Sequence, residues 1–534
     1  MAAPKPSLST TQRLFLLLLL CFSPPLFLLF SATLGPAPPQ HRRPPEWFDV
    51  VSAHFKGRPI RIGMVNLAAD DESDVNRVAG ELAELVPVRF DRVSDRVRWP
   101  DLFPEWIDEE GRWKPASCPD VPMPRDYGEL DVVVARIPCG ARDVFRLQVN
   151  LVVANLAARS GRRKGDVDRR VYAVFVGPCG PMVEIFRCDD VVMKREGEVW
   201  VYRPDLRRLK QKALMPVGSC QLAPPYTQPG KELWREYIIP KEEYIIPKEA
   251  YATILHSSQA YTCGAIALAQ TLLRTNTTRD LLLLADTTIS ASALHGLAAA
   301  GWKIKPIQRI RNPHARPGAY NEWNYSKLRL WQLTEYDKLI FIDADLIVLK
   351  NMDFFFLYPQ MSAAGNSESM FNSGIMVVEP SQCMFETLME MTKTLSSYNG
   401  GDQGFLNEVF TWWHRWPTNV NHLKMFKGRK RIERSRLKDL YAIHYLGLKP
   451  WMCYRDYDCN WDRWNHRIFA DDGAHRRWWD EVYEGMPREL QGYCKLTKDM
   501  EAKIRKWRGV ARRRNFSDKH WKMEVKDPRQ YTFG

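Results

Sequence analysis

Two carboxylates stand one residue apart at the end of a short apolar run. The run, residues 339–342, contains two Ile and no Gly or Pro, and it leads into Asp343-Ala344-Asp345. This pattern favours a buried central strand over a helix. Alternate side chains of an extended chain point the same way, so Asp343 and Asp345 are predicted to converge just past the carboxyl end of the strand, where open α/β sheets bind ligands.

These two carboxylates suit the binding of a hard cation. Adjacent negative charges raise each other's pKa unless something neutralises them. A divalent ion with oxygen ligands, Mn²⁺ or Mg²⁺, which also holds a diphosphate, is the natural occupant. An Asp-x-Asp triplet is short, however, and a polar turn that merely closes a strand has the same sequence.

The elements before this strand indicate an α/β domain. The chain alternates between a strand that begins at Tyr251, a helix over 264–274, a strand over 280–285, a helix over 291–300, a strand over 303–307 and a helix over 326–333. Such alternation predicts βαβ units and a mainly parallel sheet.

Composition narrows the class of protein. The chain has 534 residues, of which 45% are hydrophobic and 26% charged, and its formal net charge is +14. That length predicts more than one domain. The positive charge favours anionic partners such as nucleotides, acidic polysaccharides or a membrane surface. No zinc-finger spacing or RNA-binding signature accompanies it, so nucleic acid is not the expected partner.

The amino terminus predicts entry into the secretory lumen. Residues 14–34 are nearly all apolar and are long enough to span a bilayer as one kinked helix, interrupted by Pro24 and Pro25. We expect a signal anchor here, after a cytosolic tail (1–13) and before a Pro-rich stalk (35–45). A cleaved signal peptide is the alternative. Ten of the eleven cysteines follow this segment, an even number that permits disulfides.

The rest of the chain divides into four predicted segments. These are an amino-terminal α/β domain (46–235), a duplicated linker (236–250), a catalytic domain (251–455) and an extension that contains Trp and Cys (456–534). The linker contains two consecutive copies of Glu-Tyr-Ile-Ile-Pro-Lys-Glu. In the amino-terminal domain we expect strands over 59–65, 131–137 and 171–176 and a helix over 74–85.

Six blocks in a fixed order carry a family resemblance. They are residues 252–261, 326–328, 341–346, 371–375, 401–407 and 444–451. In these blocks the chain resembles glycosyltransferase family 8, the family of glycogenin, over roughly residues 250–455. The anchor, the extra domain and the Cys453/Cys459 extension resemble the plant glucuronosyltransferases that decorate xylan.

The resemblance implies a GT-A fold, a UDP-sugar donor, Mn²⁺ dependence (with Mg²⁺ as the alternative ion) and retention at the anomeric carbon. It implies metal binding by Asp343, Asp345 and His444, and diphosphate contacts from Gly447 and Lys449. The remaining UDP-sugar contacts that it implies are Leu255, Tyr261, Lys327, Ala344, Asn372, Ser373, Asp402 and Gln403. Among these, Asn372, Asp402 and Gln403 are expected to face the reacting carbon.

Two points stay open within this resemblance. Retention is compatible with front-face attack on an ion pair or with a covalent intermediate on Asp402. Asp402 is also placed to cap a helix over 403–410. Asn399 stands where glycogenin has an additional Asp, and the self-glucosylating tyrosine of glycogenin has no counterpart, so self-priming is not expected.

A dense basic run, residues 427–438, precedes His444. One of its arginines, Arg434 or Arg436, is a candidate for recognising the carboxylate of glucuronic acid, because guanidinium pairs with carboxylates in a bidentate manner. A solvated loop is the alternative.

These observations together predict a single-pass type II Golgi membrane enzyme with a lumenal catalytic domain. It would transfer glucuronic acid from UDP-glucuronate to the 2-position of xylose in xylan. The alternatives are a UDP-glucose or UDP-galactose transferase on another acceptor, as in starch initiation, and a non-catalytic polysaccharide-binding scaffold. The set Asp343, Asp345, His444 and Lys449 argues against the scaffold. Association with itself or with other cell-wall enzymes is left open.

Overall fold

The computed structural model describes residues 44–55, 58–109, 118–125, 127–161, 170–224, 227–228, 231–232, 247–425 and 439–526. The predicted cytosolic tail, signal anchor and basic run (427–438), with most of the stalk and of the duplicated linker, lie outside these residues. No helix among the described residues combines the length and apolar character that a membrane crossing requires.

The amino-terminal half forms a six-stranded sheet. Its strands are β1 (Ile60–Val65), β2 (Ala83–Pro87), β3 (Val132–Arg136), β4 (Tyr172–Val176), β5 (Val191–Arg195) and β6 (Val199–Tyr202). Its helices are α1 (Glu46–Ser52), α2 (Ala69–Asn76), α3 (Trp99–Leu102), α4 (Val144–Ser160) and α5 (Leu206–Ala213). The strand order is β2-β1-β3-β4-β6-β5, parallel from β2 to β4 and antiparallel beyond.

The prediction of a helix over residues 74–85 is wrong. Helix α2 ends at Asn76, and Gly80 adopts a φ of +104°, a conformation that favours glycine and that no continuing helix contains. The residues that follow form β2, whose Ala83 pairs with Ile60 of β1 in parallel register. A short apolar segment fits either a helix or a strand, and here the pairing with β1 decides.

The carboxyl-terminal half is built on a seven-stranded sheet. After the two-residue strands β7 (Thr227–Gln228) and β8 (Lys231–Glu232) come β9 (Glu249–Leu255), β10 (Asp280–Ala285), β11 (Lys303–Pro306), β12 (Lys338–Ile342), β13 (Leu346–Val348), β14 (Ser362–Gly365), β15 (Phe371–Val378), β16 (His414–Trp416), β17 (His422–Leu423) and β18 (Ala442–His444). The helices are α6 (Thr262–Arg274), α7 (Ala291–Ala299), α8 (Gln382–Met391), α9 (Asp402–Val409), α10 (Asp472–Arg477), α11 (Arg488–Gln491) and α12 (Lys498–Arg513).

The strand order in this sheet is β11-β10-β9-β12-β15-β14-β16. Strands β11, β10, β9 and β12 are mutually parallel, β14 and β16 are parallel, and β15 runs antiparallel to both of its neighbours. The predicted α/β class and mainly parallel sheet are confirmed. The helix predicted over 326–333 is a 3-10 helix, Asn324–Gln332. The predicted domain boundaries stay predictions.

All ten cysteines beyond the apolar segment form disulfides. The pairs are Cys118–Cys220, Cys139–Cys179, Cys188–Cys383, Cys263–Cys494 and Cys453–Cys459. In the extension, Trp461, Trp478 and Trp479 fill the core, whereas Trp464 is 70% exposed. Cross-linking on this scale agrees with folding in an oxidising compartment.

Buried charges join the two halves. Arg187 Nη1 lies 3.1 Å from Glu379 Oε2, and both side chains are less than 10% exposed. Burial by itself would raise the pKa of Glu379, but the cations around it, Lys338 and Lys212 first, lower that pKa to about 2. Glu184 Oε1 accepts hydrogen bonds from the backbone amides of residues 411 and 412, at 2.9 and 3.1 Å. The two halves therefore share a desolvated electrostatic interface.

We expect Glu379→Gln to lower the free energy of unfolding by about 3 kcal/mol, because removing one partner leaves buried cations uncompensated. Chemical denaturation of the purified chain measures it. The matched control is Glu198→Gln. Glu198 pairs with Arg195 at 3.2 Å, but both side chains are more than half exposed. Glu198→Gln should therefore change the free energy of unfolding by no more than about 1 kcal/mol. Equal losses in the two variants would contradict the prediction.

Candidate metal and donor site

The carboxylate pair lies at the centre of the larger sheet. Strand β12 lies between β9 and β15, and the backbone N–H of Asp343 donates to the carbonyl of Gly374 on β15 at 2.8 Å. Behind the pair, helix α6 approaches so closely that a Cβ on Gly264 would lie 2.2 Å from the carbonyl oxygen of Ala344. Glycine at position 264 therefore lets the first turn of α6 lie against the loop that carries both carboxylates.

A second, smaller sheet brings His444 to the carboxylates. Strand β13 pairs antiparallel with β18, with Leu346 opposite His444, and the N–H of Tyr445 donates to the carbonyl of Asp345 at 3.0 Å. As a result, Asp343, Asp345 and His444 offer ligand atoms that all lie within 4.8 Å of one another. Two carboxylates and an imidazole fit a divalent cation and leave coordination positions for other oxygen ligands.

A chain of amides orients the imidazole. His444 Nδ1 lies 3.2 Å from Asn421 Oδ1, and Asn421 Nδ2 donates to Asn372 Oδ1 at 2.9 Å. Asn372 Nδ2 in turn donates to Asn366 Oδ1 at 2.9 Å. Because an amide oxygen only accepts, this direction puts the imidazole proton on Nδ1. Nε2, which lies 3.3 Å from Asp345 Oδ1, is then free to bind a metal.

We expect Asn421→Ala to weaken binding of Mn²⁺ by about 10- to 100-fold, because the imidazole loses the acceptor that fixes its tautomer and orientation. Calorimetric titration of the metal-free chain with Mn²⁺ measures the affinity. The control is Asn419→Ala, since the Asn419 side chain donates to the carbonyl of Asp439 instead. Unchanged affinity in Asn421→Ala would show that the amide chain does not support the site.

Two lysines neutralise the acidic groups. Lys449 Nζ lies 2.6 Å from Asp345 Oδ2 and donates to the carbonyl of Tyr445 at 2.6 Å. Lys327 Nζ lies between two carboxylates, 3.2 Å from Asp343 Oδ1 and 2.5 Å from Asp402 Oδ2. Burial would lower the pKa of each lysine, but these carboxylates raise both above the ordinary value, so both ammonium groups stay charged.

The surroundings of Asp343 and Asp345 shift the pKa values of the two carboxylates in opposite directions. Burial, with the nearby charges of Asp345 and Asp402, raises the pKa of Asp343 to about 6 although Lys327 opposes the shift. Asp345 is also buried, but Lys449 and His444 hold its pKa well below the usual range. Asp345 is therefore ionised at all physiological pH values, whereas Asp343 takes up a proton below about pH 6 when no cation is present.

The three predicted catalytic residues lie on two adjacent elements. Asn372 and Ser373 are on β15, and Asp402 and Gln403 begin α9. The Ser373 hydroxyl donates to Asp402 Oδ2 at 3.1 Å, and the Ser373 N–H donates to Gln403 Oε1 at 3.2 Å. The alternative that Asp402 caps the helix is wrong. Gly401 occupies the cap position, and the Asp402 carboxylate faces Lys327.

The predicted nucleotide contacts surround the same loops. Leu255 ends β9 and is buried, and the Tyr261 ring contacts Trp451 edge-to-face, with centroids 6.1 Å apart. Burial raises the pKa of the Tyr261 hydroxyl. Gly447 adopts a φ of +73°, and a Cβ there would lie 2.4 Å from Asn460 Oδ1. Glycine thus permits the turn that returns the chain to Lys449.

Sequence reasoning missed the amides that support the site. Asn366 and Asn421 belong to the chain that orients His444, and Asn460 accepts from the Leu448 N–H at 2.8 Å and thereby holds the turn at Gly447. Isolated asparagines carry no motif, so local spacing gave no signal for them. Asn399 Oδ1 accepts from the N–H groups of residues 401 and 404, so it shapes the loop before α9.

Two family models and a set of solved structures match parts of the chain. A model of the GUX1-5 N-terminal domain matches residues 40–220, and a model of glycosyl transferase family 8 matches residues 252–359. Among solved structures, the galactosyltransferase LgtC in complex with donor and acceptor sugar analogues is 14% identical with a TM-score of 0.32, over 46% of this chain and 99% of LgtC.

Curated relatives cover nearly the whole chain. "Putative UDP-glucuronate:xylan alpha-glucuronosyltransferase 5" of Arabidopsis thaliana is 47% identical over 99% of each chain. "UDP-glucuronate:xylan alpha-glucuronosyltransferase 2" of the same plant is 51% identical over 88% of this chain and 80% of its own length. Glycogenin-1 of Caenorhabditis elegans is 28% identical over 51% of this chain and 63% of its own. The chain therefore belongs to glycosyltransferase family 8, in the family of the UDP-glucuronate:xylan alpha-glucuronosyltransferases.

Proposed function

We propose that this chain transfers glucuronic acid from UDP-glucuronate to xylose residues of xylan, with Mn²⁺ as its cofactor. The observation that carries the proposal is the convergence of Asp343, Asp345 and His444 in a chain that matches relatives named for this reaction over nearly its full length. UDP-glucuronate is an α-linked donor and these relatives are named alpha-glucuronosyltransferases, so the reaction retains the anomeric configuration.

The chain's own residues have distinct tasks in this proposal. Asp343, Asp345 and His444 would hold the ion, which supplies positive charge to the departing diphosphate. Lys449, fixed by Asp345, adds a second positive charge on the same side. Asp402, held by Lys327 and Ser373, presents a carboxylate to the positive charge that develops on the sugar.

We further propose that the protein is a single-pass type II Golgi membrane protein with a lumenal catalytic domain. The apolar residues 14–34 support an anchor, and the five disulfides support the lumen of the secretory pathway.

A hexose donor is the second candidate, and the pairing of the site lysines favours it. Among the residues that the structure describes at this site, Lys327 and Lys449 both already face carboxylates, whereas a uronate needs a cation of its own. UDP-glucose and UDP-galactose have no such requirement.

A donor screen tests the proposal. The purified full-length chain is incubated with Mn²⁺, xylohexaose and one donor at a time: UDP-glucuronate, UDP-glucose or UDP-galactose. The masses of the products are then measured by mass spectrometry. We expect the addition of one hexuronic acid with the first donor alone, and no product from Asp345→Asn. Addition of a hexose, or no transfer to xylohexaose with any donor, would overturn the proposal.

A further inference from the structure

Two tyrosines project into solvent on neighbouring loops beside the catalytic elements. Tyr320 is 85% exposed and Tyr398 is 51% exposed. Most large aromatic rings among the described residues fill the cores. Single exposed rings are common on protein surfaces, but two rings on neighbouring loops beside the catalytic elements form a candidate binding surface.

Tyr398 is connected directly to the predicted catalytic residues. Its hydroxyl accepts a hydrogen bond from Gln403 Nε2 at 2.8 Å, while Gln403 Oε1 accepts from the Ser373 N–H at 3.2 Å. Ser373 in turn donates to Asp402. Two residues, Gln403 and Ser373, therefore link the exposed ring to Asp402, the carboxylate that faces the sugar in the proposed mechanism.

The loop that carries Tyr398 is preorganised. Asn399 Oδ1 accepts from Ser397 Oγ at 2.8 Å and from the Gly401 N–H at 2.9 Å. A Cβ on Gly404 would lie 2.9 Å from Cδ1 of Tyr398, so the ring rests against the first turn of α9 where only glycine leaves room. A ring fixed in this way loses little conformational entropy when it binds a ligand.

The loop that carries Tyr320 is tied to the first loop. The side-chain amides of Asn312 and Asn321 both donate to the carbonyl of Gly400, the first at 2.8 Å. Within the loop, Glu322 accepts from the Gly318 N–H at 2.7 Å and pairs with Arg311 at 3.0 Å. Tyr320, next to Asn321, and Tyr398, two residues before Gly400, therefore belong to one rim of the site.

The chemistry of this rim fits a neutral pentose polymer. A xylopyranose ring has no hydroxymethyl group, so both of its faces present C–H groups that stack on an aromatic ring. The amides of the rim offer donors and acceptors for hydroxyl groups, and the charge of Arg311 is balanced by Glu322. A polyanionic ligand would instead require unpaired cations.

We propose that Tyr320 and Tyr398 form the acceptor platform of the enzyme, on which xylose rings of the acceptor chain stack. This inference rests on the proposed function and deepens it, because it names the residues that position the acceptor. Both tyrosines would position the acceptor and take no part in the chemical step.

Steady-state kinetics of the full-length chain test the platform. We expect Tyr320→Ala and Tyr398→Ala each to raise the KM for xylohexaose by about three- to tenfold, the size expected for one aromatic contact, and to raise it more than the KM for UDP-glucuronate. Tyr320→Phe keeps the ring and should restore the KM for xylohexaose. The control is Trp106→Ala, which removes a 69% exposed ring from the amino-terminal half and should change neither KM. An unchanged KM for xylohexaose, or an equal rise for both substrates, would overturn the inference.

Binding without turnover separates this inference from the proposed function. Calorimetric titration of xylohexaose into the chain with UDP and Mn²⁺ should show binding that the Tyr320→Ala/Tyr398→Ala double variant lacks. That result supports the platform even if the donor screen shows another sugar. Equal binding by wild type and double variant, or no binding by either, would overturn the platform even if glucuronic acid is transferred.

Discussion

Asp343→Asn should abolish sugar transfer without destabilising the metal-free protein. The amide is a poor ligand for a divalent cation, so kcat/KM should fall by at least about 10³-fold. Stability should not fall, because the substitution removes a charge that the folded protein disfavours: the Asp343 side chain is 31% exposed, and its pKa is raised to about 6. Lys327 keeps a partner, since Asp402 lies 2.5 Å from its ammonium. Transfer assays and thermal unfolding with a chelator measure the two effects.

The neighbouring carboxylate provides the control. Asp345→Asn should also abolish transfer, but it leaves the buried ammonium of Lys449 without its carboxylate. We expect a loss of about 1–3 kcal/mol in the free energy of unfolding of the metal-free protein. Two substitutions of the same kind, one residue apart, should thus have different effects on stability. A large destabilisation by Asp343→Asn would contradict this account of the site.

The pH dependence of the Asp343→Asn effect follows from the sign of the shift. The pKa of Asp343 is higher in the folded protein than its ordinary value of 3.8. Its contribution to stability is therefore fully present below about pH 4 and is lost as the pH rises through about 6. The stability advantage of Asp343→Asn without metal should grow over that interval, and the affinity of the wild type for Mn²⁺ should fall below about pH 6. Chelator-treated unfolding and Mn²⁺ titration at pH 5 and pH 7.5 measure both trends.

Lys449→Met should lower kcat by about 10²- to 10³-fold while leaving the affinity for Mn²⁺ undiminished. The ammonium is 2.6 Å from Asp345, and in the proposed mechanism it would supply positive charge where the diphosphate departs. Without it, the carboxylate of Asp345 no longer pairs with an ammonium and faces the cation together with Asp343 and His444, so the ion should bind at least as tightly. Steady-state kinetics and Mn²⁺ titration measure the two quantities.

The control for Lys449→Met is Lys350→Met, because Lys350 is 41% exposed and only loosely paired with Asp439 at 3.8 Å. It should leave both quantities near the wild-type values. If Lys449→Met lowers Mn²⁺ affinity as strongly as it lowers kcat, the lysine organises the metal ligands and does not act on the leaving group.

The carboxylate pair was predictable because its signal is local. An apolar run that ends in Asp-x-Asp specifies both the strand and the direction of the side chains, and β12 with Asp343 and Asp345 has that geometry. His444 was reached through the family resemblance alone. Its contact depends on the register of β18 against β13, in which Leu346 lies opposite His444, and no local pattern encodes a pairing between segments so distant in sequence.

The features that sequence reasoning missed depend on tertiary contacts. Asn421 differs from any other asparagine only because His444 lies beside it. The ion pair of Arg187 and Glu379 joins two sheets whose sequences give no sign of each other. The mistaken helix over 74–85 has the same origin, since Ala83 becomes part of a strand by pairing with Ile60.

The bond between Cys188 and Cys383 has a practical consequence for anyone who dissects this protein. A fragment trimmed to the predicted catalytic domain (251–455) would lack Cys188 and would leave Cys383 as an unpaired thiol. It would also leave the amides of residues 411 and 412 without the carboxylate of Glu184, and Glu379 without Arg187. Such a fragment is a poor candidate for autonomous expression, and recombinant work should retain the amino-terminal half and produce the chain in a host that forms disulfides.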